Sequence, residues 1–148
     1  MNSGEILIYQ SKEGTIKIDV RLEDETVWLS QAQIALLFGK GRSTITEHIN
    51  NVYKENELNY DSTCRKFRQV RLEGNREVER DIEYYNLDVI ISVGYRVKSQ
   101  QGTQFRIWAT QRLKEYIIKG FALNDDRFKS GNSMNYFTEL HKKIKYVN

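Results

Sequence analysis

The sequence predicts an α+β fold in which small antiparallel β-hairpins pack on a helical core. Residues 15–20, TIKIDV, alternate apolar and polar side chains, as a strand with one buried face does. Residues 77–84, EVERDIEY, alternate in the same way. Between them, residues 31–51 repeat their apolar side chains at spacings of three and four, which is the period of a helix. Strands on both sides of a helical stretch indicate the α+β class.

The N-terminal region predicts three short strands. Residues 6–9 and 15–20 are separated by the turn-forming segment Ser11–Gly14, and residues 26–29 follow an acidic turn. The third strand leads directly into the helical stretch. We therefore expect Trp28 to belong to the core rather than to bind a ligand.

The helical stretch, from Trp28 to Asn51, predicts two helices joined by a glycine turn. Ser30 is a suitable N-cap, because its hydroxyl can accept a hydrogen bond from a free amide of the first turn. Gly39–Gly41 supplies the turn, since glycine reaches positive φ at little steric cost. The second helix is expected from Ser43. This layout predicts a helix-turn-helix, in which the first helix supports the second and the second enters the DNA major groove.

The outward positions of the second helix carry polar residues of types that contact DNA. These are Arg42, Ser43, Thr44, Thr46, Glu47, His48 and Asn50. Arg42 lies at the start of the helix, nearest to base edges, where it can bond a guanine through two hydrogen bonds. Paired amphipathic helices also occur in domains that bind nothing, and Lys40 occupies a turn position that is usually apolar in this motif. The pattern alone leaves DNA binding open.

The distribution of charge along the chain indicates a nucleic-acid partner more clearly than the net charge of +3 does. Residues 40–71 carry seven Lys and Arg against four Asp and Glu, and residues 94–119 carry six against one. The first block overlaps the helix-turn-helix stretch at its turn and second helix. The second contains Arg96 and Lys98, which we expect to contact phosphates from a polar loop.

A second hairpin is predicted around the turn Glu73–Arg76. Its second strand carries an acidic row, formed by Glu77, Glu79, Asp81 and Glu83. The first strand offers arginines, so cross-strand charge pairs are the economical explanation. An acidic row suits phosphates poorly, with only Arg76 and Arg71 in reach. We therefore predict a structural hairpin rather than a DNA-binding wing.

Two further helices are predicted after the hairpin. Asn86 caps a helix over residues 87–93 that Gly94 ends, and the polar loop of residues 95–102 follows. Thr103 then caps a long helix to Lys119, with Gly120 at its end. The large side chains expected in the core are Trp28, Phe38, Ile45, Ile49, Phe105 and Trp108.

The C-terminal residues form a separate prediction. Residues 1–123 are expected to be one DNA-binding domain, and residues 124–148 a linker and an amphipathic helix. The apolar stripe of that helix comprises Met134, Phe137, Leu140 and Ile144. Such a stripe needs a partner surface, either on its own domain or on a second chain, and a homodimer is expected on this ground.

Several function classes are not expected from this sequence. It has no glycine-rich phosphate loop, no GxSxG elbow and no His/Cys cluster, so we expect no enzyme activity, cofactor, metal or small-molecule substrate. The single cysteine, Cys64, excludes an internal disulfide and indicates a reducing cytoplasm. No apolar run approaches the roughly 20 residues that span a bilayer, so no membrane partner is expected.

The chain resembles the N-terminal domain of the RhuM family of bacterial virulence-associated proteins. The resemblance rests on two segments, residues 28–58 and residues 76–127. More distantly, the layout is similar to the Bro-N and KilA-N domains of phage antirepressors and large DNA viruses, in which a helix begins with Phe-Arg-x-Trp-x-Thr. Residues 105–110 match that signature. RhuM proteins are usually longer, so the resemblance implies a fragment. The Fic motif, which is fused to some relatives, is absent.

The resemblance and the two-helix pattern together predict binding of double-stranded DNA. The viral domains are regarded as DNA-binding, which implies a transcriptional regulator linked to virulence or mobile elements. The alternative is a protein-interaction module, such as a toxin-associated or host-directed adaptor, and the acidic hairpin favours it. The salt dependence of binding separates the two possibilities.

Overall fold

The computed structural model describes residues 4–124 and confirms the α+β class. The described chain forms five strands and five helices. In chain order they are β1 Glu5–Gln10, β2 Lys17–Glu23, β3 Thr26–Ser30, α1 Gln31–Phe38, α2 Arg42–Lys54, α3 Tyr60–Thr63, β4 Cys64–Glu73, β5 Arg76–Asn86, α4 Leu87–Arg96 and α5 Gln100–Asn124.

All five strands belong to one antiparallel sheet with the order β1-β2-β3-β5-β4. The sequence predicts hairpins at β1–β2 and β4–β5, and both are present. The pairing of β3 with β5 joins them, with Trp28 opposite Asn86 and Ser30 opposite Tyr84. This long-range pairing brings the second hairpin next to the start of α1, because Ser30 is the last residue of β3 and also the N-cap of α1.

The core lies between one face of the sheet and the helices that contact β3 and β5. Alternation along β2 buries Ile18, Val20 and Leu22 and leaves Asp19 exposed. Phe105 is fully buried and meets Tyr9 edge to face, at 5.1 Å between ring centroids. Of the six side chains expected in the core, five are buried, whereas Trp108 is only half-buried.

Trp28 occupies the opposite face of the sheet but is still only 2% exposed. Its indole nitrogen donates a 2.9 Å hydrogen bond to the carbonyl of Glu23. The Arg65 guanidinium lies 4.7 Å from the indole ring, and Phe67 packs edge to face at 6.0 Å. The prediction that Trp28 is a core residue is confirmed, because its polar atom and both neighbours are supplied by this chain.

Helix α1 begins where the sequence predicts. The Ser30 hydroxyl accepts the amide of Gln33 at 3.3 Å, and the Gln33 side chain accepts the amide of Ser30 at 2.9 Å. This reciprocal pair is a capping box, which satisfies two amides that a helix N-terminus otherwise leaves free. Gly39 ends the helix at φ 63°, in the left-handed conformation that glycine adopts easily. Helix α2 begins at Arg42, one residue earlier than predicted.

The predicted end of α4 at Gly94 is wrong. The helix continues through Gly94 to Arg96, and the glycine serves close packing instead of helix termination. A Cβ atom placed on Gly94 would lie 3.2 Å from Cζ of Phe38 and 3.4 Å from Cα of Gly102. A glycine in a helix therefore need not be an end signal, since a neighbouring element can require its small size.

The prediction of a loop over residues 95–102 is also wrong, because most of these residues are helical. Helix α5 begins at Gln100, where the Ser99 hydroxyl accepts the amide of Gln101 at 3.1 Å and takes the capping role assigned to Thr103. The helix also continues past Gly120 to Asn124. One helix, α3, was not predicted; the side chain of Asn59 caps its single turn.

The described chain divides into two compact units within α5, the first ending at Ile107 and the second beginning at Trp108. All sites discussed below belong to the first unit. The amphipathic tail predicted around residues 134–144, and the homodimer expected from it, lie outside the described residues. Among residues 4–124, none of the helices combines the length and apolar character that a membrane-spanning segment requires.

Candidate nucleic-acid interface

Helix α2 has one buried face and one polar face. Ile45, Ile49 and Val52 are buried at helical spacing and attach α2 to the core. On the opposite side, four polar residues form the outer ridge of α2 and are all exposed: Ser43, Glu47, Asn50 and Lys54. The apolar stripe in the sequence predicts this buried face, and the polar ridge lies on the opposite, exposed side as the sequence indicates.

A cleft of about 630 Å³ borders this ridge. Arg42, Thr46 and Asn50 form its wall on α2, and residues 30–32 at the start of α1 close one end. The facing wall belongs to the hairpin β4–β5, which we call the arm. The cleft residues of the arm are Arg71, Arg80, Asp81, Ile82, Glu83 and Tyr85.

The cleft combines unpaired arginines with carboxylates that are already bonded. Among residues 4–124, neither Arg42 nor Arg71 has a carboxylate within 4.0 Å. Asp81 lies 3.6 Å from the Arg68 guanidinium. Glu83 accepts hydrogen bonds from two tyrosine hydroxyls, of which that of Tyr85 is at 2.9 Å. Arg42 and Arg71 are thus more available to a ligand than the carboxylates of the cleft, whereas Arg80 is held by Glu73.

The arm carries the cross-strand charge pairs that the sequence predicts. Arg68 pairs with both Glu79 and Asp81, at 3.5 and 3.6 Å. Arg80 binds the Glu73 carboxylate with two hydrogen bonds of 2.8 and 3.0 Å. This contact holds the pKa of Glu73 below its ordinary value through the hydrogen bond and the charge of Arg80. All these groups are exposed, so the pairs contribute little to stability and mainly fix side-chain positions.

Arg96 is not in a loop and does not point a free charge outward. It lies in α4 and forms ion pairs with Glu55 at 3.1 Å and Glu57 at 2.9 Å, directly after the end of α2. Hydrogen bonding from Ser92 and Arg96 lowers the pKa of Glu57. These contacts attach α4 to the end of α2. A guanidinium held by two carboxylates is poorly available to a phosphate.

The structure divides the predicted site residues into three groups. Arg42, Thr46 and Asn50 line the cleft, and Ser43 and Glu47 belong to the adjacent ridge. Thr44 and His48 lie on the far flank of α2, where His48 is half-buried. The third group is Arg96, with its ion pairs, and the exposed Lys98, which lines a separate cavity between α4 and α5.

Arg80 is a cleft residue that sequence reasoning missed, and Arg71 was considered only as one possible contact of the hairpin. The alternation of β5 shows which face of its strand Arg80 belongs to, but no local signal places that strand beside α2. The β3–β5 pairing does so. Within residues 4–124, no group of three or more His, Cys, Asp or Glu side chains is arranged to hold a metal ion.

By fold and site, the chain is an α+β protein in which a polar helix lies beside a partly basic β-hairpin. It belongs to the virulence protein RhuM family, whose profile matches residues 62–148, more than half of the chain. The family resemblance noted in the sequence is thereby confirmed. The matched region begins within α3 and includes the arm, α4 and α5, whereas α1 and α2 precede it. No curated protein and no solved structure matches the chain.

Proposed function

We propose that this protein binds double-stranded DNA through a helix-turn-helix formed by α1 and α2. Helix α2 reads the bases, and the arm contacts the phosphate backbone, a role beyond the structural hairpin that the sequence predicts. One observation carries the proposal: the exposed polar face of α2 borders a cleft that Arg42 from α2 and Arg71 from the arm both line, and neither has a carboxylate partner within residues 4–124. Guanidinium groups suit phosphate, which they bind with paired hydrogen bonds.

The start of α2 adds a second group of donors for phosphate. Gly41 is the N-cap and makes no side-chain hydrogen bond to the helix. The first amides of α2 therefore lack the side-chain acceptor that Ser30 provides in α1. Amides at a helix N-terminus point along the positive end of the helix dipole and bind phosphate oxygens well. Arg42, the first residue of α2, adds a full charge at the same place.

The ridge of α2 offers side chains that match base edges in the major groove. An asparagine such as Asn50 bonds adenine through two hydrogen bonds, a glutamate such as Glu47 accepts from cytosine, and Ser43 can contact either kind of base. The carboxylate of Glu47 is unfavourable near phosphates, so its place at the centre of the ridge suits a base contact better than a backbone contact.

The biological role that follows is regulation of transcription in the bacterial cytoplasm, linked to virulence or mobile-element genes. The family match supports the link to virulence. The similarity of residues 105–110 to the Phe-Arg-x-Trp-x-Thr signature of Bro-N and KilA-N domains supports DNA as the partner. In this role the protein needs no cofactor.

The decisive experiment is selection of duplexes from a random DNA pool by the full 148-residue chain at near-physiological salt. We expect an enriched motif, and affinity for it that falls by about 0.9 log unit per log unit of salt for each phosphate contact. A palindromic motif would indicate a dimer. Failure to enrich any motif, with no salt-dependent retention of duplex DNA, would refute DNA binding.

A second candidate function is a protein-interaction module, and the far end of the arm favours it. Val70 and Leu72 are 61% and 75% exposed and belong to one face of β4. Their cross-strand partners are Glu79 and Glu77. An exposed apolar pair favours a protein-binding surface, and the two carboxylates beside it are unfavourable for DNA. If this function is correct, Val70→Ser with Leu72→Ser abolishes partner binding, whereas Arg42→Ala leaves it unchanged.

A further inference from the structure

A second cavity, of about 230 Å³, lies where α4 ends and α5 begins. We call it the elbow cavity. Its polar lining consists of Tyr95, Lys98, Ser99, Thr103 and Arg106. Gly94 and Gly102 also line it, and a Cβ on Gly94 would come within 3.4 Å of Gly102 Cα. The absence of side chains at both positions lets the two backbones approach closely and leaves backbone as part of the cavity wall.

The two cations of the elbow cavity have no internal counter-ion. Within residues 4–124, no carboxylate lies within 4.0 Å of the Lys98 ammonium or the Arg106 guanidinium. Arg96, two positions from Lys98, differs in this respect, because Glu55 and Glu57 hold it. Two cations that share a concave site without an acidic partner attract an anion.

The hydroxyl groups of the cavity specify the kind of anion. The Ser99 oxygen accepts the amide of Gln101 at 3.1 Å, so its own O–H remains to donate elsewhere. The Tyr95 and Thr103 side chains are exposed and add two more hydroxyl donors. Because Ser99 also accepts the Gly102 amide through its carbonyl, the start of α5 is partly satisfied internally. Binding at the cavity must therefore come from side chains.

We propose that the elbow cavity binds a phosphate ester. A tetrahedral phosphate presents more acceptor oxygens than a carboxylate, and two cations with three hydroxyls provide a matching number of donors. Tyr95, which is 80% exposed, and Ile91 at the cavity wall supply apolar area for the organic group that carries the phosphate. This site does not depend on the DNA-binding face of α2. Its phosphate comes either from a DNA backbone or from a free phosphorylated small molecule.

The test is titration of the full chain with inorganic phosphate and then pyrophosphate at constant ionic strength, followed by the amide NMR signals of Ser99 and Gly102. We expect saturable shifts in the wild type. In the variant Lys98→Gln with Arg106→Gln, affinity should fall at least about tenfold, because a hydrogen bond to a charged group contributes roughly that factor. Lys12→Gln with Lys17→Gln removes the same charge from the exposed β1–β2 hairpin and should bind like the wild type.

Absence of saturable shifts, or an equal loss in the control variant, would overturn the proposal. A loss confined to the elbow variant supports it, and a duplex-binding measurement on that variant then identifies the source. If duplex affinity falls together with phosphate affinity, the cavity holds a DNA phosphate. If duplex affinity is unchanged, or if the wild type binds phosphate and no DNA, the cavity holds a free phosphate ester.

Discussion

Arg42 is the residue on which the DNA-binding proposal depends most directly. It is exposed at the start of α2 and pairs with no carboxylate within the described chain. Because the proposal places Arg42 on a phosphate, Arg42→Ala should weaken binding to the selected duplex and to its single-base variants about equally, and it should lower the salt slope by about one contact. Fluorescence anisotropy at several salt concentrations, on the selected site and on single-base variants, measures both effects.

Lys12→Ala is the matched control for Arg42→Ala, since it removes an exposed cation from the turn between β1 and β2. It should leave duplex affinity within the experimental error. Unchanged affinity of the Arg42 variant, with its circular dichroism spectrum intact, would show that α2 does not read DNA.

The close packing around Gly94 can be tested by adding a single methyl group. Gly94→Ala adds a methyl group 3.2 Å from Cζ of Phe38, a buried ring, and 3.4 Å from backbone at Gly102. Overpacking of this kind costs about 1–3 kcal/mol, which exceeds the gain of up to about 1 kcal/mol from replacing glycine in a helix. We expect a net loss of about 1 kcal/mol in the free energy of unfolding, measured by urea denaturation.

A double variant separates overpacking from other effects at Gly94. Phe38→Leu removes the ring atoms that the new methyl group would approach, so the loss caused by Gly94→Ala should be smaller in that background. Equal losses in both backgrounds would mean that the Phe38 contact is not the cause.

At the scale of elements, the capping box of α1 connects the sheet to the two-helix unit. Ser30 ends β3 and caps α1. The Gln33 side chain, which completes the box, also donates a 2.8 Å hydrogen bond to the carbonyl of Asp19 in β2. Ser30→Ala should destabilise the protein by about 1 kcal/mol, the usual cost of losing a serine N-cap. Thermal and urea unfolding measure this. Ser43→Ala, on the exposed ridge of α2, should change stability by less than about 0.5 kcal/mol.

The contact between α2 and α4 makes stability depend on pH. Hydrogen bonding from Ser92 and Arg96 lowers the pKa of Glu57 below its ordinary value of 4.5. A lowered pKa in the folded state means that this carboxylate stabilises the fold above 4.5, and that the contribution is lost as the pH falls through the depressed value. Because Glu57 is largely exposed, solvent screens the effect and it is small.

The corresponding variant is Glu57→Gln. It should lower the urea midpoint at pH 7 relative to the wild type, and the difference should shrink in acid well below the ordinary carboxyl pKa. Glu13→Gln, which removes an exposed carboxylate from the β1–β2 turn, is the control and should leave the urea midpoint at pH 7 close to that of the wild type. A difference that persists unchanged into acid would contradict the assigned ion pair.

At the scale of the whole molecule, the β3–β5 pairing converts two hairpins into one sheet. Residues 27–29 of β3 and 84–86 of β5 are buried, whereas residues 70–77 of the arm are exposed throughout. Hydrogen exchange should therefore be slowest at the β3–β5 junction and faster at the tip of the arm, because backbone hydrogen bonds without buried contacts open locally. Equal protection along the whole of β5 would contradict this division.

The sequence by itself determined most of the segments that form elements, although not the short helix α3 or the helical part of residues 95–102. The alternation of β2, the strand at β5, the Ser30 cap, the Gly39 turn and the apolar stripe of α2 follow from local signals, and each is present in the structure. They succeeded because period, capping and turn chemistry act over a few neighbouring residues. The same information gave the polar composition of the α2 ridge and the cross-strand charge pairs of the arm.

Tertiary structure alone decided what those elements face. Gly94 has the local signature of a helix end, yet Phe38 and Gly102 require its small size inside α4. Arg96 has the composition of a phosphate ligand, yet Glu55 and Glu57 hold it. The cleft exists because a strand pairing across more than fifty residues brings the arm beside α2. Long-range contacts depend on the whole core, and no local window of sequence contains them.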